Sequence, residues 1–294
     1  MPKEGTHTGW PLLVGASKYG DYKQWYDEQS STQLHQLGAK LVVDDGGGEM
    51  VFRYAHIAAN AASAWRGRGM SNLGLYGDDG TLGADNGFLY AATITEAAAG
   101  ATEITVTLSG AGGSNNITCA ENELAGGYIV IMPAVWTGWI GGRIRSNTAA
   151  VAGVMTVTLV EGIQDACAAA SPTRLTWNPY AYVGTPLTNG SAWRWTSVVG
   201  CLNLNATVDY YVWLQTWGPY VAQTSAYGTY DIGRGTHDRN VFFDGYGGFM
   251  SSAYMVANGH PAENYQRAGF VLANTYAPTE TLSWMPLVML QISP

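Results

Sequence analysis

From Thr102 onward the sequence repeats one device: a short β-branched or aromatic run, then a turn of glycine or asparagine. TEITVTL (102–108), GGYIVIM (126–132), GGRIRSN (141–147) and VMTVTLV (154–160) follow one another in this way. WTSVVGCLNL, DYYVWLQTWG, FVLAN and LVMLQI continue the pattern toward the C-terminus. Most of the 38 glycines fall between these runs. Short strands separated by turn residues are how an antiparallel sheet is written into sequence. A chain built mainly of them closes its hydrophobic faces as a sandwich or a barrel. The expected fold is therefore all-β, an antiparallel β-sandwich or barrel with an extended N-terminal arm.

Residues 1–50 are more polar and keep no sustained period of 3.6 or 2, so they read as an arm with at most short elements. Gly46, Gly47 and Gly48 end it as a flexible joint. EMVFRYAHI (49–57) reads as a strand, and the alanine-rich AHIAANAASAW (55–65) as a short helix. GLYGDDGTLGADNG (74–87) is a string of turn residues. SPTRLTWNPYAYVGTPLTNG (171–190), with its three prolines, reads as a long ordered loop. The domain expectation is an arm at 1–50 and a β-rich body at 51–294, divisible near 185 into 51–185 and 186–294. A chain of 294 residues is long enough for either one large domain or two.

Charged residues make up only 12%, against roughly 25% in an ordinary soluble domain. The chain also carries 11 Trp and 18 Tyr. Interfaces between subunits are depleted in Lys, Glu and Asp and enriched in Tyr and Trp, so this composition points to surface covered by other subunits. The other reading is a neutral extracellular surface rich in Ser, Thr and Asn. A net charge of −8 argues against a nucleic-acid groove, which needs clustered Lys and Arg. WRGRG (65–69) is the nearest approach to such a cluster. An acidic exterior suits an outer shell better than a lining against packaged DNA. The longest apolar stretch, YIVIMPAVWTGWIGG, is interrupted by Pro133 and is too short to span a bilayer as a helix. MPKEGTHTGWPLL lacks the pattern of a secretory signal. Cys119, Cys167 and Cys201 are odd in number and widely spaced, which suits buried free thiols of a protein made in a reducing cytoplasm.

The search for chemistry yields little. His7, His35, His56, His237 and His260 show no metal-binding spacing. DIGRGTHDRN (231–240) groups Asp231, Arg234, His237, Asp238 and Arg239, but arginines beside aspartates favour pairing over catalysis. Asp78, Asp79 and Asp85 offer oxygens to a cation, yet lack the spacing of a calcium loop, and turn propensity explains them. GAGG (110–113) leads to no helix and so reads as a hairpin turn rather than a phosphate cradle. A carboxylate pair for glycoside hydrolysis is set by spatial rather than sequence spacing, and Glu is scarce in the β body. The expectation is no catalytic residue, no cofactor and no metal.

DYYVWLQTWGPY (209–220) is the densest aromatic run. Strand alternation puts Tyr210, Val212, Leu214 and Thr216 on one face and Tyr211, Trp213, Gln215 and Trp217 on the other. The first is an ordinary core face. The second admits three uses: a second core face, a subunit contact, or a platform on which sugars stack. Gln215 is the marker among them, because a buried amide must find partners.

The order of segments carries a resemblance. STQLHQLGAK before GGEMVFRYAHI, then AAAGATEITVTL, ENELAGGYIVI, GGRIRSNTAAVAGVMTVTLVEGI, TRLTWNPYAYV, YYVWLQTWGP and AGFVLANTYAPTETLSWMPLVMLQI resemble, in order and spacing, a group of tailed-bacteriophage virion structural proteins of the capsid decoration or cement type. The likeness covers roughly residues 30–294. It implies a virion role beside the major capsid protein and no catalysis. Together with the low charge and abundant Trp and Tyr, the expectation is a decoration protein that forms small homo-oligomers, such as trimers, on the outer capsid surface and contacts the major capsid protein. The aromatic arm and GRGTHDRNVFFDGYGG depart from the group. Candidate contact residues are Trp10, Tyr19, Tyr22, Trp25 and Tyr26 in the arm, with Tyr211, Trp213, Gln215 and Trp217 in the strand. A receptor- or glycan-binding virion module, using Trp213 and Trp217, is the alternative.

Overall fold

The computed structural model describes residues 3–5, 12–16, 28–44, 48–59, 64–72, 90–109, 118–132, 140–186, 197–224, 232, 239–251, 265–273 and 286–293. Every regular element among them is a strand. The chain forms two compact units: one from Met1–Leu73 and Tyr180–Pro294, the other from Gly74–Pro179.

The inserted unit is a closed barrel. Its strands are β6 (Tyr90–Ile94), β7 (Glu103–Ser109), β8 (Tyr128–Ile131), β9 (Ile140–Asn147), β10 (Val154–Leu159) and β11 (Pro172–Thr176). They close in the order β10-β7-β6-β11-β8-β9, every pair antiparallel. Alternation fills the inside: Met155, Val157 and Leu159 of β10 are buried, while Val154 is exposed. Ile104 and Val106 of β7, Ile129 and Ile131 of β8 and Ile144 of β9 meet them in one core. Each such side chain contributes about 1.5–3 kcal/mol by leaving water. Closure removes the free edges that an open sheet would expose.

One polar side chain braces this core. Asn147, at the end of β9, is buried. Its Oδ1 accepts from the Leu124 amide at 2.9 Å. Its Nδ2 reaches the carbonyls of Ala120 at 2.8 Å and Thr148 at 2.9 Å. The turn before β8 is thereby tied to the barrel wall.

The discontinuous unit holds a twelve-stranded sheet. Its strands are β1 (Lys3–Gly5), β2 (Leu12–Ala16), β3 (Lys40–Asp44), β4 (Glu49–His56), β5 (Gly69–Asn72), β12 (Val183–Gly184), β13 (Val198–Leu202), β14 (Tyr211–Val221), β15 (Asn240–Phe243), β16 (Phe249–Ser251), β17 (Arg267–Ala273) and β18 (Leu287–Gln291). The main path runs β1-β2-β3-β4-β14-β18-β17-β15-β16, and β13, β5 and β12 branch from β14. β14 is the spine. It pairs with β4 along one edge and with β18 and β13 elsewhere.

The all-β expectation holds, and the barrel is a true closed one. Four local expectations change. The boundary at 50/51 is crossed by a ladder, since β3 and β4 pair from Lys40↔Arg53 to Asp44↔Glu49. Residues 1–50 are therefore not simply an arm. The stretch 55–65 does not open as a helix: His56 ends β4 and Ile57 bridges to Val183, because β-strand partners on both sides outweigh alanine propensity. The loop 171–190 contains β11 and β12. Pro172 is tolerated because it is the first residue of its strand. The division near 185 falls instead at 179/180, with a second boundary at 73/74. The turn-rich stretch 74–87 and the glycines 110–113 lie outside the described residues.

Candidate functional site

β14 is where the sequence placed its candidate chemistry. Tyr211↔His56, Trp213↔Tyr54 and Gln215↔Phe52 are directly opposed across the β14–β4 ladder. Then the register slips, and Trp217 faces Val51. Phe52 and Val51 are neighbours and point to opposite faces, so Gln215 and Trp217 do too. Two residues of β14 oppose one of β4, as in a β-bulge. Beyond the slip the buried positions become Thr216, Gly218 and Tyr220, while Trp217, Pro219 and Val221 are partly or largely exposed. The expected odd-numbered face is thus split, and its four members do not form one surface.

The part before the slip is interior. Trp213 is 3% exposed and packs with Leu41, Val43, Phe52 and Tyr54. Tyr54 lies 5.0 Å from the Trp213 ring and stacks on Tyr211 at 5.9 Å. Burial pushes the Tyr54 hydroxyl pKa up. The same hydroxyl accepts the Leu34 amide at 3.1 Å, which fastens residues 34–35 over the cluster. His35 caps it, 5.1 Å from Tyr54 and 5.3 Å from Trp213. A two-ring sugar platform on this strand needs Trp213 and Trp217 on one exposed face, and they are neither exposed together nor on one face.

Gln215 is 2% exposed and fully engaged. Its Nε2 donates to the carbonyls of Trp217 at 3.1 Å and Pro219 at 2.9 Å. Its Oε1 accepts from Asn203 Nδ2 at 3.1 Å. The amide satisfies backbone carbonyls of its own strand across the bulge, where the β4 ladder shifts register. Its function is structural.

A pairing without a sequence signal lies at the end of the strand. His56 Nε2 and Asp209 Oδ1 are 3.0 Å apart, with side chains 14% and 68% exposed. The His56 ring stacks on Tyr211 at 4.5 Å and meets the Tyr182 edge at 5.7 Å. Burial, with the Asp209 charge beside it, raises the Tyr211 pKa. Asp209 adopts φ 62°, a turn conformation that suits Asp, and its amide donates to the Ile57 carbonyl. The pair joins residues 153 positions apart, so no short motif could reveal it.

The other sequence candidates resolve as follows. Cys119, Cys167 and Cys201 are buried thiols outside any disulfide. Burial raises the Cys201 thiol pKa well above its usual value. In WRGRG, the Arg68 guanidinium sits 4.6 Å over the Trp65 ring and reaches Gln223, so it serves local packing. Trp10, Tyr19, Tyr22, Trp25 and Tyr26 lie outside the described residues, as do Asp78, Asp79, Asp85, Asp231, Arg234, His237 and Asp238. Among the described residues no group of three or more His, Cys, Asp or Glu side chains gathers into a metal-ligating set. No protein-family model, curated protein or solved structure matches this chain.

Proposed function

We propose that this protein is a structural component of a tailed-phage virion, one that decorates the outer capsid and stabilises it through contacts with its own copies and with the major capsid protein. The observation that carries the reading is the use made of β14. This strand belongs to the motif order that resembles decoration proteins, and its most ligand-like residues are committed to the sheet. Trp213 fills a core, and Gln215 closes a bulge. Such a strand holds a scaffold together rather than waiting for a ligand. Low charge and abundant Trp and Tyr support surface shared with neighbours. The net charge of −8 suits an outward position, away from DNA.

The test is reconstitution. Purified protein is added to capsids of a tailed phage that encodes this chain, stripped of or assembled without it. Saturable binding at regular positions in an image reconstruction is the expected result. Capsids that remain bare at saturating protein overturn the proposal.

A further inference from the structure

The sheet ends in an unusual edge. β3 is held on one side by β4, with Leu41 and Val43 in the core beside Trp213. On its other side it carries β2 in parallel, from Leu12↔Lys40 through Val14↔Val42 to Ala16↔Asp44. β1 folds back on β2 as an antiparallel hairpin. This is the one parallel strand-to-strand ladder among the described strands. The hairpin stands outermost on the path, and β3 is its neighbour there.

A parallel neighbour needs a long connection. Residues 17–39 provide more than the return requires. The chain is next held at Gln29 and Ser30, where Gln29 Oε1 accepts the Thr207 amide and Ser30 exchanges two backbone hydrogen bonds with Tyr211. From Ala16 to that anchor the chain reaches about 40 Å when extended, whereas the return spans roughly 30 Å, the length of β4 from Glu49 to His56 and four strand spacings from β2 to Ser30. The ladder that β2 makes is backbone to backbone, so it is the same whichever copy supplies β3. A tether of this length holds its own hairpin at an effective concentration of order mM. Copies packed side by side on a shell meet one another at no lower concentration. Exchange of an identical element then loses little free energy and gains a link between subunits.

We infer that the β1–β2 hairpin is an exchangeable docking element that adds to the β3 edge of a neighbouring copy of this chain. The inference rests on the proposed shell function for its setting, and it names the partner as a second copy and the contact as strand addition. It also assigns the role of β3: an edge anchored firmly enough by β4 and the aromatic core to receive a strand from outside.

The test uses full-length chains that each carry one half of a registered pair. V14C in a short-tagged chain and V42C in a long-tagged chain are mixed, unfolded, refolded together at high concentration and oxidised. Exchange gives a covalent heterodimer on a non-reducing gel, with a peptide that joins positions 14 and 42. A parallel sample carries both substitutions in one chain. If that sample closes its bond only within single chains and the mixture gives no heterodimer, exchange is overturned. If the double variant forms no bond either, the ladder itself is wrong and the inference falls with it. No capsid enters this assay. A heterodimer from a protein that leaves capsids bare would overturn the shell function alone, and capsid binding without a heterodimer would overturn exchange alone.

Discussion

Asn203 Nδ2 donates to Gln215 Oε1 at 3.1 Å and completes the hydrogen bonding of an amide that is 2% exposed. The two donors of that amide already serve Trp217 and Pro219. Removing the amide by Gln215→Ala leaves two partly buried carbonyls and one side-chain donor without it. An unsatisfied buried group costs about 1–3 kcal/mol. Gln215→Ala should therefore destabilise the protein by roughly 3 kcal/mol or more, and Asn203→Ala by only about 1 kcal/mol, because Asn203 is half-exposed. Urea unfolding midpoints check the order. Equal, small losses would mean that the bulge does not depend on Gln215.

Trp213 and Trp217 stand four positions apart on opposite sides of the slip, and their substitutions should differ sharply. Trp213→Ala empties the space between Leu41, Phe52 and Tyr54 and should cost about 3–5 kcal/mol. Trp217→Ala removes a half-exposed ring and should cost clearly less. If the two losses are alike, Trp217 is packed as Trp213 is, and the change of face at the bulge is wrong.

Four of the six barrel strands, β7 to β10, were legible because their alternation is local: VMTVTL declares its buried face without knowledge of a partner, whereas β6 and β11 were not read as strands. β5 and β12 were not legible. GMSN and VG have no strand pattern, and they are strands because β13 and Ile57 lie beside them. The same holds for the site. Alternation put Trp213 and Gln215 on one face correctly, since nothing interrupts the ladder between them. It failed at Trp217, because a bulge is set by the partner strand. His56 and Asp209 meet only through the fold, and their separation in sequence hides them.

Gly269 and Gly100 both have φ in the left-handed half of backbone space, at 152° and 83°. Their surroundings differ. A Cβ on Gly269 would lie 1.8 Å from the Met289 carbonyl oxygen, whereas nothing comes within 4 Å of one on Gly100. Gly100→Ala should cost about 1–2 kcal/mol, the strain of the conformation alone. Gly269→Ala must also push β17 from β18 and should abolish folding of the sheet. Thermal melts of the two variants distinguish these outcomes, and a mild loss at Gly269 would disprove the close approach.

Cys201 and Tyr220 make stability sensitive to alkali. Burial raises both pKa values well above normal, and Tyr220 Oη donates to the Leu202 carbonyl at 2.6 Å. In the unfolded chain a thiol ionises near pH 8.5 and a tyrosine near pH 10. Each group, neutral in the fold, therefore contributes stability that is complete below its unfolded pKa. That contribution is lost as pH rises toward the folded pKa, at up to about 1.4 kcal/mol per pH unit and group. Denaturant unfolding from pH 7 to 11 should show a decline that begins near pH 8.5 and steepens above pH 10. Cys201→Ala should make the decline between pH 8.5 and 10 shallower, leaving the share of Cys167, whose thiol pKa burial also raises. An unchanged slope in that range would show that the Cys201 thiol does not contribute.

The barrel should fold when expressed alone as residues 74–179. Its core draws on its own strands, and closure leaves no edge that needs a neighbour. Tyr90 and Leu175 are paired partners, so the entering and leaving strands lie side by side and excision strains nothing. A fragment of residues 51–185 adds β4 and β5 without β14 and β13, which cover them in the intact chain. It should therefore aggregate or carry a disordered apolar tail. The comparison is made by amide chemical-shift dispersion and cooperative melting. A fragment 74–179 that melts without cooperativity would show that the barrel depends on the larger sheet.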